Sequence, residues 1–340
     1  MTRFRKSTSI IATILIIISM SLALISTAYA DEPEEEDIEV FVDGNPITSK
    51  AAIVIDFLSG LVIFEHNADE LRVPASMAKM VAVYVVLDAI RDRSTFFEAF
   101  IQTSDTVSVF SYDREFSNVP MPRNSFYTVR ELLGVVIARS ASAATVALGE
   151  GIFGSEEAMV AKMNEKVMQL GIEALFFDSW GGSPENRLSA HGMAELTRAL
   201  IREHPIVLGF TSQKIVYFDE VEYTNTNPLL SSYNGADGFK TGFTNPAGWC
   251  FTGTAVVDDR RLISVTMGSA QGFRFPDSVI LLDYGFANYD RVVANHFRTS
   301  SKHLDIHHAL GSPLVPIKMY DIEELQYFNL LYIAMLLNKY

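Results

Sequence analysis

The apolar positions of the chain change period twice. Ala51–Asp56 and Leu61–Glu65 are apolar, β-branched runs on either side of Leu58-Ser59-Gly60. Such runs around turn residues predict a β-hairpin. Val73-Pro74-Ala75 breaks the chain, and Ser76 is expected to open a helix to about Ala89. Proline just outside a helix start wastes no donor. The middle of the chain has helical spacing. Thr128-Val129-Arg130-Glu131 is a capping box, and the helix behind it runs to about Arg139. Further helices are expected from Ser142 to Gly149, from Ser155 to Gly171 and from Ser189 to near His204. From Ile215 strand patterns return, at Ile215–Phe218, Gly248–Val257 and Arg261–Gly268, with Asp258-Asp259-Arg260 as a turn. A helix from Pro276 to Tyr289 closes this part. Strands at both ends with helices between predict one α+β unit, its sheet joining the first hairpin to the late strands around a helical insert. No repeat of 20–50 residues is present.

The two ends read differently. Arg3, Arg5 and Lys6 precede an apolar run from Ile10 to Ile25 and then Ala28-Tyr29-Ala30. A basic start, an apolar middle and a small-x-small end make residues 1–30 a signal peptide. The run is short for a membrane span, the competing reading. The protein is thus expected to cross the cytoplasmic membrane and work outside it. Residues 31–39 hold seven acids and no base, and such a block repels itself. We read 31–47 as an acidic spacer, 48–290 as the folded domain and 291–340 as a tail of uncertain structure.

Composition removes several function classes. The 340 residues carry 27 Lys+Arg against 41 Asp+Glu, a net charge of −14. That balance argues against nucleic acid as a partner, since phosphate backbones need clustered bases. The hydrophobic fraction of 49% supplies a sizeable core. One cysteine, Cys250, excludes an intrachain disulfide or a Cys-based zinc site. Cys250 lies in an apolar strand and reads as a small core residue. No His-Glu-x-x-His pair occurs, and the tail cluster His303, His307 and His308 is the nearest approach to a metal motif.

Ser76-Met77-Ala78-Lys79 is the sharpest chemical feature. Three residues apart on a helix, the hydroxyl and the amine share a face. Lys79 is the only charged residue between Val73 and Leu87, so it is expected to be buried. Burial disfavours the ammonium, and a neutral amine beside a hydroxyl is a base beside a nucleophile. A surface lysine on a helix is the blander reading. Lys240-Thr241-Gly242 precedes an apolar strand segment, where glycine admits a ligand to a strand edge and Lys and Thr could hold a carboxylate. It could equally be an ordinary strand start. Ser140-Ala141-Ser142 sits between two helical stretches, where hydroxyl residues are more often caps than catalysts.

The order of the three elements changes their weight. Ser-x-x-Lys, Ser-x-Ser and Lys-Thr-Gly resemble the motif set of penicillin-binding proteins and class A β-lactamases. The phrases AAIVIDFLSGLVIFEHNADELRVPASMAKM, YTVRELLGVVIARSASAATVALGE, DGFKTGFTNPAGW and ILLDYGF narrow this. Over about 51–290 the chain resembles the low-molecular-weight penicillin-binding proteins that are serine D-Ala-D-Ala carboxypeptidases. The resemblance implies a β-lactamase-like α+β fold, an antiparallel sheet with flanking helices and a helical insert. It also implies that Ser76 is the acylated nucleophile and Lys79 its general base. Ser140 would relay a proton and help position Lys79. Lys240 and Thr241 would hold the terminal carboxylate of a peptidoglycan stem peptide. The backbone N–H groups of Ser76 and Phe243 would form the oxyanion hole. β-Lactams would be covalent inhibitors, and neither a metal nor an organic cofactor is required.

Two positions depart from the family pattern. Asparagine is usual where this chain has Ser142, and histidine is frequent where it has Phe243. The first weakens substrate positioning and the second removes a polar side chain near the carboxylate site. They motivate a rival reading, a stem-peptide or penicillin binder with little turnover. A β-lactamase is a third reading, for which no glutamate is placed as a deacylating base. Family members often end in a β-rich domain and an amphipathic membrane-binding helix. Only about fifty residues follow Asp290, and Gln326–Leu337 is apolar over twelve residues, too short to span a bilayer. Loose association with a membrane surface is the expectation for the tail.

Overall fold

Residues 40–91 and 94–309 are described by the structure, a computed structural model. Its centre is a five-stranded antiparallel sheet built from both ends of the chain. The strands are β1 (Ala51–Asp56), β2 (Val62–His66), β3 (Ala236–Thr244), β4 (Gly248–Val257) and β5 (Arg260–Ser269), in the spatial order β3-β4-β5-β1-β2. β1 pairs with β5, Ile53 opposite Val265 and Ile55 opposite Ile263. Between β4 and β5 the turn residues Asp258 and Asp259 have φ of 49° and 60°, as a two-residue hairpin of the favoured twist requires.

Alternation along the strands divides the apolar side chains between two cores. Ile53, Ile55, Ile263 and Val265 face the helical side. Ala52, Val54, Ala255 and Leu262 face Leu281 and Leu282 of the last helix. All six residues of β1 are therefore buried, which is why it reads as a continuous apolar run rather than an alternating one.

Between β2 and β3 lies the helical insert: α1 (Lys79–Ile90), α2 (Val129–Ala138), α3 (Ser142–Leu148), α4 (Glu156–Gln169) and α5 (Ala190–Glu203). α1 is apolar almost all round, and Lys79 through Leu87 are buried, as befits a helix through the middle of a core. The expected caps are present. Thr128 and Glu131 form the reciprocal capping box, Ser155 accepts from the Ala158 N–H, and Ser189 accepts from the Gly192 N–H. Gly171, past the end of α4, has φ of 70°.

Several expectations are corrected. Residues 40–47, read as part of a spacer, form a small hairpin of Val40–Val42 and Asn45–Ile47. Its apolar residues flank an Asp43-Gly44 turn, and Val42 and Ile47 are buried in the second core. Residues 31–39 lie outside the described residues, as do 1–30 and 310–340. Ser76 does not open an α-helix directly; a 3-10 turn, Ala75–Ala78, precedes α1. Ile215–Phe218 is no part of the main sheet and pairs with Val221–Thr224 in a separate ribbon. The closing helix, α6 (Arg274–Ala309), runs twenty residues past Tyr289, because no Gly or Pro interrupts 290–309. A short helix, Asp105–Ser111, capped by Ser104, was not expected. Cys250 is buried in β4 as expected.

α6 is tied to the sheet by Asp277 in its first turn. This fully buried carboxylate accepts from the Thr48 N–H, from Thr48 Oγ1 at 2.9 Å and from Ser49 Oγ at 2.7 Å. Asp277→Ala removes the charged acceptor of the buried Ser49 hydroxyl together with the two bonds to Thr48. We expect a loss of about 1.5–3 kcal/mol in urea unfolding, with the secondary structure at zero denaturant unchanged.

Candidate active site

Ser76 stands on the 3-10 turn, and Lys79 is the first residue of α1, so the three-residue spacing brings them onto one face. Lys79 Nζ lies 2.9 Å from Ser76 Oγ. The side chain is wholly buried. Burial pushes the ammonium down to about 7, against the opposing pull of the Asp178 and Glu156 carboxylates. The preceding residue, Ala75, is buried with φ of 49°. Such a conformation costs a non-glycine residue of order 1–3 kcal/mol and persists only where packing dictates it.

The second partner of Lys79 comes from far along the chain. Its Nζ donates to the Trp180 carbonyl oxygen at 2.6 Å. The turn carrying Trp180 presses directly on the Ser76 backbone. A Cβ built on Gly181 would lie 1.9 Å from the Ala75 oxygen and 2.9 Å from Ser76 N. The Trp180 ring meets Phe116 edge-on (4.7 Å between centroids) and Phe110 at a tilt (5.1 Å), making an aromatic wall beside the amine.

β3 supplies the opposite wall. As an edge strand it has no sheet neighbour beyond it, and it runs past the Ser76 turn. A Cβ on Gly242 would lie 2.9 Å from the Pro74 oxygen and 3.3 Å from Ser76 N. Lys240 is buried, and its Nζ donates to Ser140 Oγ and to the Thr241 carbonyl, both at 2.9 Å. Burial is the main cause that pushes Lys240 well below the usual lysine range, with Lys79 and Arg274 adding repulsion. Thr241 Oγ1 lies 2.9 Å from Thr226 Oγ1. Ser140 is buried with φ of 60° at the junction of α2 and α3. The three sequence elements, whose first residues Ser76, Ser140 and Lys240 are 64 and 100 residues apart along the chain, thus converge on one cleft.

The other two expected residues stand as follows. Ser142 is buried at the head of α3, its N–H donating to the Ser117 carbonyl. The side chain of Phe243 is about half exposed and lies against Trp249 on β4, 4.4 Å between ring centroids. Trp180, Thr226 and Arg274 were not anticipated. Arg274 Nη1 donates to the Gly242 carbonyl at 3.1 Å, and its guanidinium covers the Trp249 ring. No local pattern marks these three, since each acts through contacts fifteen or more residues away along the chain.

Among the described residues, Asp88, Glu203 and His204 bring metal-type ligand atoms together. Arg91 and Lys166 bond to the same carboxylates, so the negative charge there is already matched. The side chains of His303, His307 and His308 lie outside the described residues. No described helix is long and apolar enough to cross a membrane.

Residues 39–271 match the family model described as D-alanyl-D-alanine carboxypeptidase, peptidase S11. The chain belongs to the D-alanyl-D-alanine carboxypeptidase family. D-alanyl-D-alanine carboxypeptidase DacC of Escherichia coli is 33% identical over 267 residues, 75% of this chain and 65% of that protein. The chain thus spans just under two thirds of the length of that relative. Among solved structures it is similar to the peptidoglycan synthesis regulatory factor PBP3 of Streptococcus pneumoniae, with 32% identity, a TM-score of 0.66 and coverage of 70% of this chain and 73% of that one. It is also similar to penicillin-binding protein D2 of Listeria monocytogenes in its ampicillin-bound form, with 29% identity, a TM-score of 0.63 and coverage of 71% and 98%. The fold is the penicillin-binding-protein, β-lactamase-like α+β fold, as expected. Peptidase S11 enzymes act on the cell wall, which agrees with a site of action outside the cytoplasm.

The close approach of Gly181 is a feature of this S11 chain that can be tested directly. Its φ of 85° and the Ala75 oxygen leave no room for a side chain. We expect Gly181→Ala to cost about 1–3 kcal/mol of stability, measured by urea unfolding, while Gly154→Ala, with φ of 89° and open space around it, costs less.

Proposed function

We propose that this protein is a serine D-Ala-D-Ala carboxypeptidase that trims peptidoglycan stem peptides. The observation that carries the reading is a wholly buried Lys79 amine 2.9 Å from Ser76 Oγ, beside an edge strand bearing Lys240 and Thr241. With its affinity for a proton lowered to about 7, Lys79 takes the Ser76 hydroxyl proton. Oγ attacks the carbonyl between the two terminal D-alanines. The C–N bond breaks, the terminal D-Ala leaves with a proton from Lys79, and an ester remains on Ser76. Water then attacks the ester and releases the shortened stem.

The substrate's terminal carboxylate is held by Thr241 and the charge of Lys240, and its arrival favours the ammonium that burial otherwise penalises. Ser140, 2.9 Å from Lys240 Nζ, connects that charge to the cleft and relays a proton. The backbone N–H groups of Ser76 and Phe243 hold the developing oxyanion. A β-lactam, whose strained amide mimics the scissile bond, acylates the same oxygen. The chain acts in the cell-wall space after export, led by the segment 1–30, and its tail binds membrane surfaces at most weakly. No metal or organic cofactor takes part.

A D-Ala-D-Ala peptide and a labelled penicillin test this together. We expect free D-Ala from the peptide and one penicillin adduct, located at Ser76 by mass spectrometry and lost in Ser76→Ala. A stable adduct without D-Ala release would favour a binding protein, and rapid penicillin hydrolysis a β-lactamase. An adduct persisting in Ser76→Ala would remove Ser76 as the nucleophile.

Ser142 sets the expected pace. Asparagine offers two donors and an acceptor on a longer side chain, whereas serine offers one donor and reaches fewer partners. One hydrogen bond to a charged or transition-state group is worth about 1.5–3 kcal/mol, roughly ten- to two-hundredfold in rate. Ser142→Asn is expected to raise the acylation rate constant at least several-fold, with little change in the unfolding midpoint. An equal or lower rate would show an active site adapted to serine.

A further inference from the structure

The turn that presents Trp180 to Lys79 is organised by one carboxylate. Asp178 Oδ1 accepts from the N–H groups of Trp180 (3.1 Å), Gly181 (2.5 Å) and Gly182 (3.2 Å), and from Asn186 Nδ2 (3.4 Å). Its Oδ2 accepts from the Ser183 N–H. Four successive backbone donors converge on a single side chain, and the turn is closed by Asn186, fully buried, which accepts from the Phe177 N–H. Glu156, in the first turn of α4, holds the intervening Ser179 through its N–H and its hydroxyl. The product of these bonds is a carbonyl oxygen 2.6 Å from the Lys79 amine and a glycine seated on the Ser76 backbone.

We propose that Asp178 is a positioning residue for Lys79: by gathering the N–H groups of residues 180–183 it aims the Trp180 carbonyl at the amine and sets a fixed negative charge behind it. The proposal rests on the reading of Ser76 and Lys79 as nucleophile and base. It goes further in naming what holds that base in place. Two consequences separate. The geometric one is that the Lys79 nitrogen is held beside Ser76 Oγ, because one of its N–H groups is committed to Trp180. The electrostatic one is that the Asp178 charge resists the desolvation of the ammonium and keeps Lys79 titrating near neutrality instead of further below. The groups facing Lys79 in this respect are Asp178 from the turn, Glu156 from α4 and Lys240 from β3. The carboxylates raise its affinity for a proton, and the charge of Lys79 in turn lowers that of Lys240.

Asp178→Asn separates charge from geometry. An amide oxygen in place of Oδ1 keeps the three bonds to residues 180–182, while the charge is lost and an NH2 group faces the Ser183 N–H. Asp178→Ala removes both. The first readout is the titration of the Lys79 amine, followed by NMR of protein carrying [13Cε]lysine, which requires no substrate. The second is the pH dependence of acylation by a labelled penicillin. In the parent the neutral-amine fraction, and with it acylation, rises with pH through about 7. Removing a neighbouring anion destabilises the ammonium, so Asp178→Asn should move both midpoints down by about half a pH unit or more. Its plateau rate should stay within about tenfold of the parent, whereas Asp178→Ala should lose about tenfold or more, since the amine is no longer aimed. Should Asp178→Ala fail to fold, the Asn variant decides. Parent-like midpoints and plateau in Asp178→Asn, with or without a lower unfolding temperature, would make Asp178 a structural residue and overturn the proposal. A parent that is never acylated would overturn the functional reading alone, and the lysine titration would still decide whether Asp178 governs Lys79.

Discussion

Lys79 carries a charged-type side chain with no exposure to water, and much of the molecule is explained by what that demands. An ammonium taken out of water is strongly disfavoured, so the group either loses its proton or finds acceptors. Here it does something of each. Desolvation brings its titration to about 7, while the Trp180 carbonyl and the Ser76 oxygen take up its hydrogen-bonding capacity. α1 can run through the centre of the core only because every other residue from Met80 to Leu87 is apolar. The turn at 178–183 and the edge strand at 236–244 must both lie against its head to exclude solvent.

The sheet supplies the rigidity for this. β3, β4 and β5 come from the last third of the described chain and β1 and β2 from the first, so the helical insert is clamped at both ends. Two cores back the sheet, one under the helices and one under α6, and the alternating strand residues commit to one or the other. With β3 at the edge, one side of Lys240-Thr241-Gly242 is paired to β4 and the other borders the cleft. The strained residues, Ala75 and Ser140, stand beside the reactive groups, where the surrounding packing determines their backbone.

Ser142 and Phe243, the two positions expected to depart from the family pattern, both lie at the cleft. Ser142 occupies a place where a longer amide would reach further, and Phe243 is stacked on Trp249 with Arg274 over the same ring. The resulting rim is more apolar than a histidine would make it. Lys79 keeps its contacts with Ser76 and Trp180, and Lys240 its contact with Ser140, beside both departures.

Local order was legible in the sequence wherever the determining interactions are local. The hairpin at Ala51–Glu65, the capping box at Thr128, the caps at Ser155 and Ser189, the Asp258-Asp259 turn and the pairing of Ser76 with Lys79 all depend on residues within a few positions of one another. The burial of Lys79 was legible too, because its own helix is apolar on every side. Helix ends were less so, and α6 outran its expected end because a stop signal was absent. What only the tertiary structure decided is the company of these groups. Trp180 is brought to Lys79 across 101 positions, Lys240 to Ser140 across 100, and Asp178 acts on the amine through a backbone turn that it folds around itself. A backbone carbonyl has no residue type, and every residue offers one, so no sequence pattern announces that position 180 will face an amine. Proximity of that kind is set by the packing of whole elements, and it comes into being only once the sheet has closed from both ends of the chain.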